Sequence, residues 1–509
     1  MDRRRFLGHV AAGGTVLSLP LLVPGCATDP EPVPEAPRPD SLFASWYGVD
    51  EASISRVMTT LTAAGADIAD AFLEISHRNR IVYENGEITE SVSSRDQGAG
   101  LRVVRGDEVG FAWTEDLTLP GLQAAAREAA GRGAAAPVVT TSLRQRDDGN
   151  LYPTSLSWSK VAMESRHALL GDIEARVRAA ESAVESVSIR WEDGEQNILV
   201  ATLDGHIVID TRPLTRLTLV VTAARGDARQ TGFATNAARA GIDWYSDERI
   251  DALVGDALER TLIQFEARRA PEGHMPVILA AGTSGVLLHE AIGHALEADF
   301  NRDGTSTWSD SIGERVAEPF VTVVDDARLP HESGALNFDD EGSETGRKVL
   351  VENGVLRSYV HDLRSARHYG VQTTGAGRRE SYRHLPMPRL TCTFMENGPH
   401  SRDEIIAAAG NALICETFSG GRAELGSGNF SFEVKNGWLV EQGKITTPTK
   451  DFRISGNGPE LLGKIAMAAD DTRMDTGGWI CGKHGQNLPV SHGMPTVLVS
   501  GLEVSRIRV

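Results

Sequence analysis

The segment that most constrains this chain is Leu287-Leu288-His289-Glu290-Ala291-Ile292-Gly293-His294-Ala295-Leu296-Glu297-Ala298-Asp299, where two imidazoles and a carboxylate stand inside an apolar, helix-forming run. The histidines are five residues apart. At about 100° per residue, an α-helix turns positions i and i+5 roughly 140° from each other, so a regular helix splays them. A π-bulge adds one residue to a turn, recurs at functional sites, and brings the two back to one side. Gly293, the weakest helix former in the run, is the expected place for it.

These residue types fit a hydrolytic metal centre. Neutral imidazoles hold a Lewis-acidic ion, and a carboxylate beside them takes a proton from the water the ion activates. His289 and His294 are the candidate ligands and Glu290 the candidate general base. The spacing departs from the zincin pattern, whose histidines stand at i and i+4 on one helical face. The competing reading is a buried amphipathic helix with two hydrogen-bonded histidines. Catalytic zinc keeps three protein ligands and one open position, so a third ligand is needed. Glu297 and Asp299 are the local candidates. A remote one is Cys481, in Gly477-Gly478-Trp479-Ile480-Cys481-Gly482-Lys483-His484-Gly485-Gln486, where flanking glycines admit a close approach.

The chain has 509 residues and a formal net charge of -19, which argues against a nucleic-acid partner. Its start reads as an export signal. Asp2-Arg3-Arg4-Arg5-Phe6-Leu7-Gly8 resembles a twin-arginine signal, and an interrupted apolar run follows to Val23. Leu22-Val23-Pro24-Gly25-Cys26 resembles a bacterial lipobox with an unusual Pro24, making Cys26 a lipidation candidate; the alternative is a plain cleaved signal. The expected location is the periplasm or cell envelope, with membrane contact through a lipid anchor. Three further cysteines, Cys392, Cys415 and Cys481, are an odd number for an oxidising compartment, and a metal-bound thiolate accounts for one. Cys392 and Cys415 are either a disulfide or two buried thiols.

The expected organisation is a signal at 1–26, a Pro-rich tether at 27–50, an N-terminal domain at 51–270 and a C-terminal domain at 271–509. Strands are expected at Ala71–Tyr83 and Glu87–Ser93 around Asn85-Gly86, then Gly100–Val104 and Glu108–Trp113. Helices follow at Leu119–Ala130 and Ser157–Ala183. Strands at Val187–Trp191, Gln196–Thr202, His206–Thr211 and Thr215–Ala224 lead to a helix at Asp243–Arg269. Beyond Pro271-Glu272-Gly273, a strand at Pro276–Ala280 enters the His-Glu segment, with later helices at Arg402–Ala409 and Pro459–Ala468. The fold class is α+β: an N-terminal α/β-layered domain, followed by a mostly antiparallel β C-terminal domain carrying the metal-site helix.

From about Asp67 onward the chain resembles the TldD/PmbA family of bacterial metallopeptidases. The matching segments are Glu84-Asn85-Gly86 with Gly98-Ala99-Gly100-Leu101-Arg102, the stretch from His289 to Phe300, and Gly375-Ala376-Gly377-Arg378-Arg379-Glu380 with Pro388-Arg389-Leu390. Gly420-Gly421-Arg422, Ser455-Gly456-Asn457-Gly458 and Cys481-Gly482-Lys483-His484-Gly485-Gln486 with Pro489 complete the set, in the family's order. The resemblance implies zinc held by His289, His294 and Cys481, with Glu290 as general base. It also implies hydrolysis of unfolded peptides in an enclosed site, and homodimers or pairs with a relative lacking the metal motif. Leu390 stands where the family leads us to expect Met, and neither His484 nor His492 inherits a role. Arg378, Arg379 and Arg389 are candidates for holding a substrate carboxylate, against a structural role. Two rival functions are a non-catalytic scaffolding subunit and a zinc hydrolase of another envelope amide.

Overall fold

A computed structural model describes residues 39–131, 144–145, 150–424 and 428–507. The signal segment and Cys26 lie outside the described residues. Helices α1 (Pro39–Tyr47) and α2 (Glu51–Leu61) precede strands β1 (Ile68–Glu84), β2 (Glu87–Arg105) and β3 (Glu108–Thr114). After α3 (Leu119–Ala130) and α4 (Met163–Ala180) come β4 (Val184–Thr202), β5 (His206–Arg225) and β6 (Ala228–Ala238), then α5 (Asp247–Leu262). The six strands pair antiparallel in the order β3-β2-β1-β4-β5-β6. Asn85-Gly86 closes the first hairpin, with both residues at positive φ (46° and 93°).

Strand alternation divides this sheet into two working faces. Ala69, Ala71, Leu73 and Ile75 of β1 pack with α2 and α3, while Ile81, Ile189, Trp191 and Leu219 pack with α4 and α5. The opposite face carries Phe72, Ile198, Val200 and Val208, which pack with Phe338 and Tyr382 of the C-terminal half.

Several expected boundaries shift for identifiable reasons. The expected tether does not extend to residue 50: α1 occupies Pro39–Tyr47, and Phe43 and Val49 are buried at 0 % and 2 % exposure in the core under α2. Their apolar side chains, not the prolines before them, decide the local structure. Val187–Trp191 and Gln196–Thr202 are one strand, because the polar residues between them remain paired. Asp193 is buried there and accepts from Asn79 Nδ2 at 2.7 Å and Arg166 Nε at 2.6 Å. The helix expected from Ser157 begins at Met163, since Ser157 Oγ and the Trp158 amide bind Glu195 and hold a separate 3-10 turn.

Among the described residues the C-terminal half holds two further large sheets and a two-stranded ribbon that pairs Gly377–Arg378 with Met387–Pro388. Strands β7 (Gly273–Leu279), β8 (Val323–Asp326), β9 (Arg347–Glu352), β10 (Cys392–Met395), β11 (Ala412–Ala423), β12 (Asn429–Glu441) and β13 (Lys444–Asn457) are followed by β14 (Trp479–Lys483), β15 (Gln486–Met494) and β16 (Val497–Arg506). One sheet runs β16-β7-β11-β12-β13, and β13 pairs back onto β16, closing a circuit. The other runs β9-β8-β10-β15, with β14 hairpinned onto β15. The expected helix at Pro459–Ala468 is a short helix over Gly458–Gly463 and then a strand over Ile465–Ala468. Cys392 and Cys415 are free, buried thiols.

Candidate metal centre

Val286, Leu287, Leu288, Ala291, Ile292, Ala295 and Leu296 are all buried in the largest core, among Leu390, Phe430, Phe432 and Leu461. Burying a Leu or Ile side chain contributes about 1.5–3 kcal/mol, so this anchoring can carry an irregular backbone. The segment starts as a short α-helical turn at Gly285–Leu287, passes through a π-helical turn at Leu288–Gly293, and ends in a 3-10 turn at His294–Leu296. The amide of His294 donates to the carbonyl of His289, the i→i+5 bond of a π-turn. The distortion expected at Gly293 is present. At that glycine an added Cβ would lie 2.6 Å from Leu390 Cδ1.

The imidazoles therefore converge, with ring centroids 4.9 Å apart. Cys481, on β14, completes the group: its Sγ lies 2.9 Å from His294 Nε2. Glu290 Oε2 is 3.7 Å from the same nitrogen. One ligand atom each from His289, Glu290, His294 and Cys481 lies within 4.8 Å of the others. The structure thus brings together four residues drawn from two segments nearly two hundred positions apart. His289, His294 and Cys481 are buried, while the Glu290 side chain keeps 30 % exposure.

The surroundings set the state of each ring. Burial, reinforced by His294 and His492, holds the His289 pKa well below the usual imidazole value, which is the neutral form a metal requires. Both His289 nitrogens are buried without a hydrogen-bond partner. Burial also opposes charge on His294, but Glu297 and Cys481 outweigh it and hold that pKa well above the usual value. Glu297 Oε2 lies 3.0 Å from His294 Nδ1, which leaves Nε2 directed at Cys481 and Glu290. Burial pushes the Glu290 carboxyl up from its ordinary range.

Glu297 and Asp299 are not in the converging group. Glu297 is fully buried behind His294, where it accepts from the Leu390 amide at 3.2 Å and from Lys483 Nζ at 3.0 Å. Lys483 Nζ also binds Asp299 Oδ1 at 2.8 Å. Burial opposes the Glu297 charge, yet Lys483, His294 and Arg389 prevail and keep its pKa far below the carboxylate range. A carboxylate on a ligand imidazole fixes its tautomer and orientation. The sequence signal was available: Glu297 follows His294 by three residues, and Lys483 shares the strand face of Cys481.

The three candidate substrate arginines are corrected. Arg378, Arg379 and Arg389 are 2 %, 1 % and 0 % exposed, so none offers a free guanidinium fork. Arg378 donates to the carbonyls of Leu390 and Pro489. Arg379 binds Asp70 Oδ1 at 2.6 Å. Arg389 donates to the Cys481 carbonyl at 2.6 Å and so holds β14 in place. His492, to which the family resemblance gives no role, is buried with both ring nitrogens unpartnered, its ring 6.4 Å from that of His289.

A donor set of two imidazoles, one thiolate and an adjacent carboxylate suits zinc, and the unpartnered nitrogens of His289 supply the vacant lone pair such a site needs.

Comparison with known proteins shows the family to which the chain belongs. Family models described as PmbA/TldA metallopeptidase domain 1, central domain and C-terminal domain match residues 69–132, 157–265 and 272–506. The chain is 35 % identical over 471 residues to a metalloprotease TldD homolog of Haemophilus influenzae, covering 89 % of this chain and 95 % of that protein. A zinc metalloprotease TldD homolog of Saccharolobus solfataricus is 28 % identical over 337 residues, covering 66 % of this chain and 74 % of that protein. The fold is shared with the crystal structure of TldE from Thermococcus kodakarensis, at a TM-score of 0.69 and 18 % identity, covering 89 % of this chain and 99 % of that one. A protein of Thermotoga maritima described as a candidate modulator of DNA gyrase gives 0.72 and 21 %, with 89 % and 100 % covered. The chain belongs to the PmbA/TldD family of metallopeptidases.

Proposed function

We propose that this chain is a zinc-dependent peptidase that hydrolyses peptide bonds of unfolded peptides or small proteins. The observation that carries the reading is the convergence of His289, Glu290, His294 and Cys481 within 4.8 Å around unpartnered imidazole nitrogens. The name of the Saccharolobus relative, a zinc metalloprotease, supports the choice of metal.

His289, His294 and Cys481 would hold the zinc, which when bound would supply Lewis acidity toward water and the scissile carbonyl. The rest is done by the chain. Glu290 sits at the edge of the ligand set, half-buried, with its pKa raised by burial toward the range in which a carboxylate both takes and returns a proton. It removes the proton of the attacking water and delivers it to the leaving amine. Glu297 holds His294 through Nδ1, Lys483 neutralises Glu297, and Arg389 pins the backbone at Cys481.

The partners proposed with this activity are a peptide substrate and a second subunit, either another copy or a family relative. The shared fold of a TldE protein supports a relative of that kind. The arginines at positions 3–5 and the Val23-Pro24-Gly25-Cys26 stretch support export to the periplasm or envelope with a lipid on Cys26. Among the described residues no helix is long and apolar enough to cross a membrane. Incubating the purified chain alone with an unstructured peptide, with and without a chelator and re-added zinc, tests the activity. Cleavage abolished by chelation and restored by zinc is expected; cleavage indifferent to chelation contradicts it.

A further inference from the structure

We propose that Asp70, on the first sheet, is a positioning residue for the candidate ligand Cys481, acting through Arg379 and the two-stranded ribbon at 377–388. What the proposal says of zinc rests on the peptidase reading above; what it says of the placement of Cys481 does not.

The need for outside support follows from topology. β14 is five residues long and, among the described residues, pairs only with β15. A two-stranded hairpin is marginal by itself, whereas a metal ligand has to be held within about 0.5 Å of its working position. The ribbon and the residue after it supply the hold. Arg389 Nη2 donates to the Cys481 carbonyl at 2.6 Å, and Lys483 Nζ donates to the Pro388 carbonyl at 3.1 Å. Gln486, opposite Lys483 in the hairpin, grips both arms of the loop that joins the ribbon strands: its Oε1 accepts from the Glu380 amide at 3.0 Å, and its Nε2 donates to the Leu385 carbonyl at 3.0 Å. The Asn487 amide donates to Glu380 Oε2 at 2.9 Å.

The same ribbon is fastened to the first sheet. Asp70, Phe72 and Glu74 alternate along β1 onto the face that meets the C-terminal half. Arg379, next in the chain to Glu380, donates from Nη2 to Asp70 Oδ1 at 2.6 Å, with its guanidinium 4.7 Å from the centre of the Phe72 ring. The other oxygen of Asp70 accepts from Arg102 Nε at 2.6 Å, and Arg102 pairs in turn with Glu341 at 2.8 Å. Asp70 is therefore one buried anion shared by an arginine from each half, and Asp70 and Arg379 are both 1 % exposed. Further along β1, Glu74 Oε2 accepts from the Tyr382 amide at 3.0 Å. Tyr382 lies against two glycines of β2 that admit no side chain: a Cβ at Gly98 would stand 2.2 Å from its ring, and one at Gly100 2.3 Å from its carbonyl oxygen. Removing the charge of Asp70 leaves two buried guanidiniums short of an anion, and the one on Arg379 adjoins the residue that grips the Cys481 hairpin.

Thiol labelling of the full zinc-free chain, resolved residue by residue with mass spectrometry, tests the proposal. Cys392, Cys415 and Cys481 are buried, at 0 %, 0 % and 2 % exposure, so each reacts only when the structure around it opens. In Asp70→Asn the Cys481 rate is expected to rise at least about tenfold, as loss of one charged hydrogen bond implies, while Cys392 and Cys415 keep their wild-type rates. Asp193→Asn is the control. It neutralises another buried carboxylate of the same sheet, whose partners Arg166 and Asn79 lie within the N-terminal half, and is expected to leave the ratio of Cys481 to Cys392 labelling unchanged. Should Asp70→Asn fold poorly, Arg379→Lys keeps a cation facing Asp70 and is expected to raise the Cys481 rate by a smaller factor. Zinc affinity by chelator competition is expected to fall about tenfold in Asp70→Asn, the lower end of what losing the support behind a ligand costs. Unchanged Cys481 labelling in both variants, a parallel rise at all three thiols, a matching rise in Asp193→Asn, or unchanged zinc affinity overturns the proposal. Because labelling is read without zinc, a wild-type chain that holds no zinc removes the peptidase reading and leaves the placement of Cys481 to be decided by the labelling.

Discussion

The amide of His294 donates to the carbonyl of His289, and that single i→i+5 bond turns a spacing that would splay two ligands into one that joins them. It brings the ring centroids to 4.9 Å and leaves room for Cys481 Sγ at 2.9 Å from His294 Nε2. The converging group is thus a property of a π-turn held in the core, joined to a hairpin from the far end of the chain.

Glu290→Gln keeps the shape of the side chain and removes its basicity. Zinc content by elemental analysis is expected to match the wild type, while kcat for peptide hydrolysis falls about 10²–10⁴-fold. A variant that cleaves at the wild-type rate places the base elsewhere.

Glu297→Gln weakens the carboxylate's hold on His294 Nδ1 and leaves Lys483 Nζ buried beside a neutral amide. Zinc affinity is expected to drop about 10–100-fold. Removing one partner of a buried ion pair also destabilises by about 3–5 kcal/mol. Chelator competition and denaturant titration measure the two effects. Changing Lys483 to Met in the same chain is expected to recover part of the stability without the affinity.

Gly293→Ala places a methyl 2.6 Å from Leu390 Cδ1 in a packed core. Overpacking of this kind costs about 1–3 kcal/mol. Thermal melts are expected to show that loss, and Leu390→Ala in the same chain to relieve the contact. An unaltered melting temperature in the single variant means the Leu390 side chain moves aside freely.

How much of this was legible in the sequence depends on how local the cause is. The π-turn could be anticipated because spacing, apolar neighbours and Gly293 lie within one short run. Glu290 and Cys481 were legible as candidates from residue type and family resemblance, and the structure places both beside the two histidines. What the sequence hid is the scaffold behind the ligands: Arg389 reaching the Cys481 carbonyl and Lys483 between Glu297 and Asp299 exist only after distant strands pack. The same holds for the long strands. Local polarity broke β4 into two pieces, because the Asp193–Arg166 pair that satisfies its middle is made across elements. The three arginines misled for a related reason, since a guanidinium between glycines or prolines reads alike whether it meets a ligand or the chain's own carbonyls.

His361 gives a pH signature independent of the metal. Burial lowers its pKa to about 4, and its Nδ1 has no partner. The unfolded imidazole, near 6.5, binds a proton first as pH falls, so the folded state loses stability between about pH 6.5 and 4 and holds it above. Denaturant titrations at pH 7 and pH 4.5 are expected to show a smaller acid loss for His361→Phe than for the wild type. Equal losses remove His361 as a contributor.

The central claim, zinc held jointly by the π-turn and the β14 hairpin, is tested most directly by zinc K-edge X-ray absorption on the purified zinc-loaded chain. The account predicts one sulfur scatterer at about 2.3 Å with two imidazole nitrogens at about 2.0–2.1 Å, and loss of the sulfur in Cys481→Ser. A spectrum of nitrogen and oxygen alone in the wild type contradicts it.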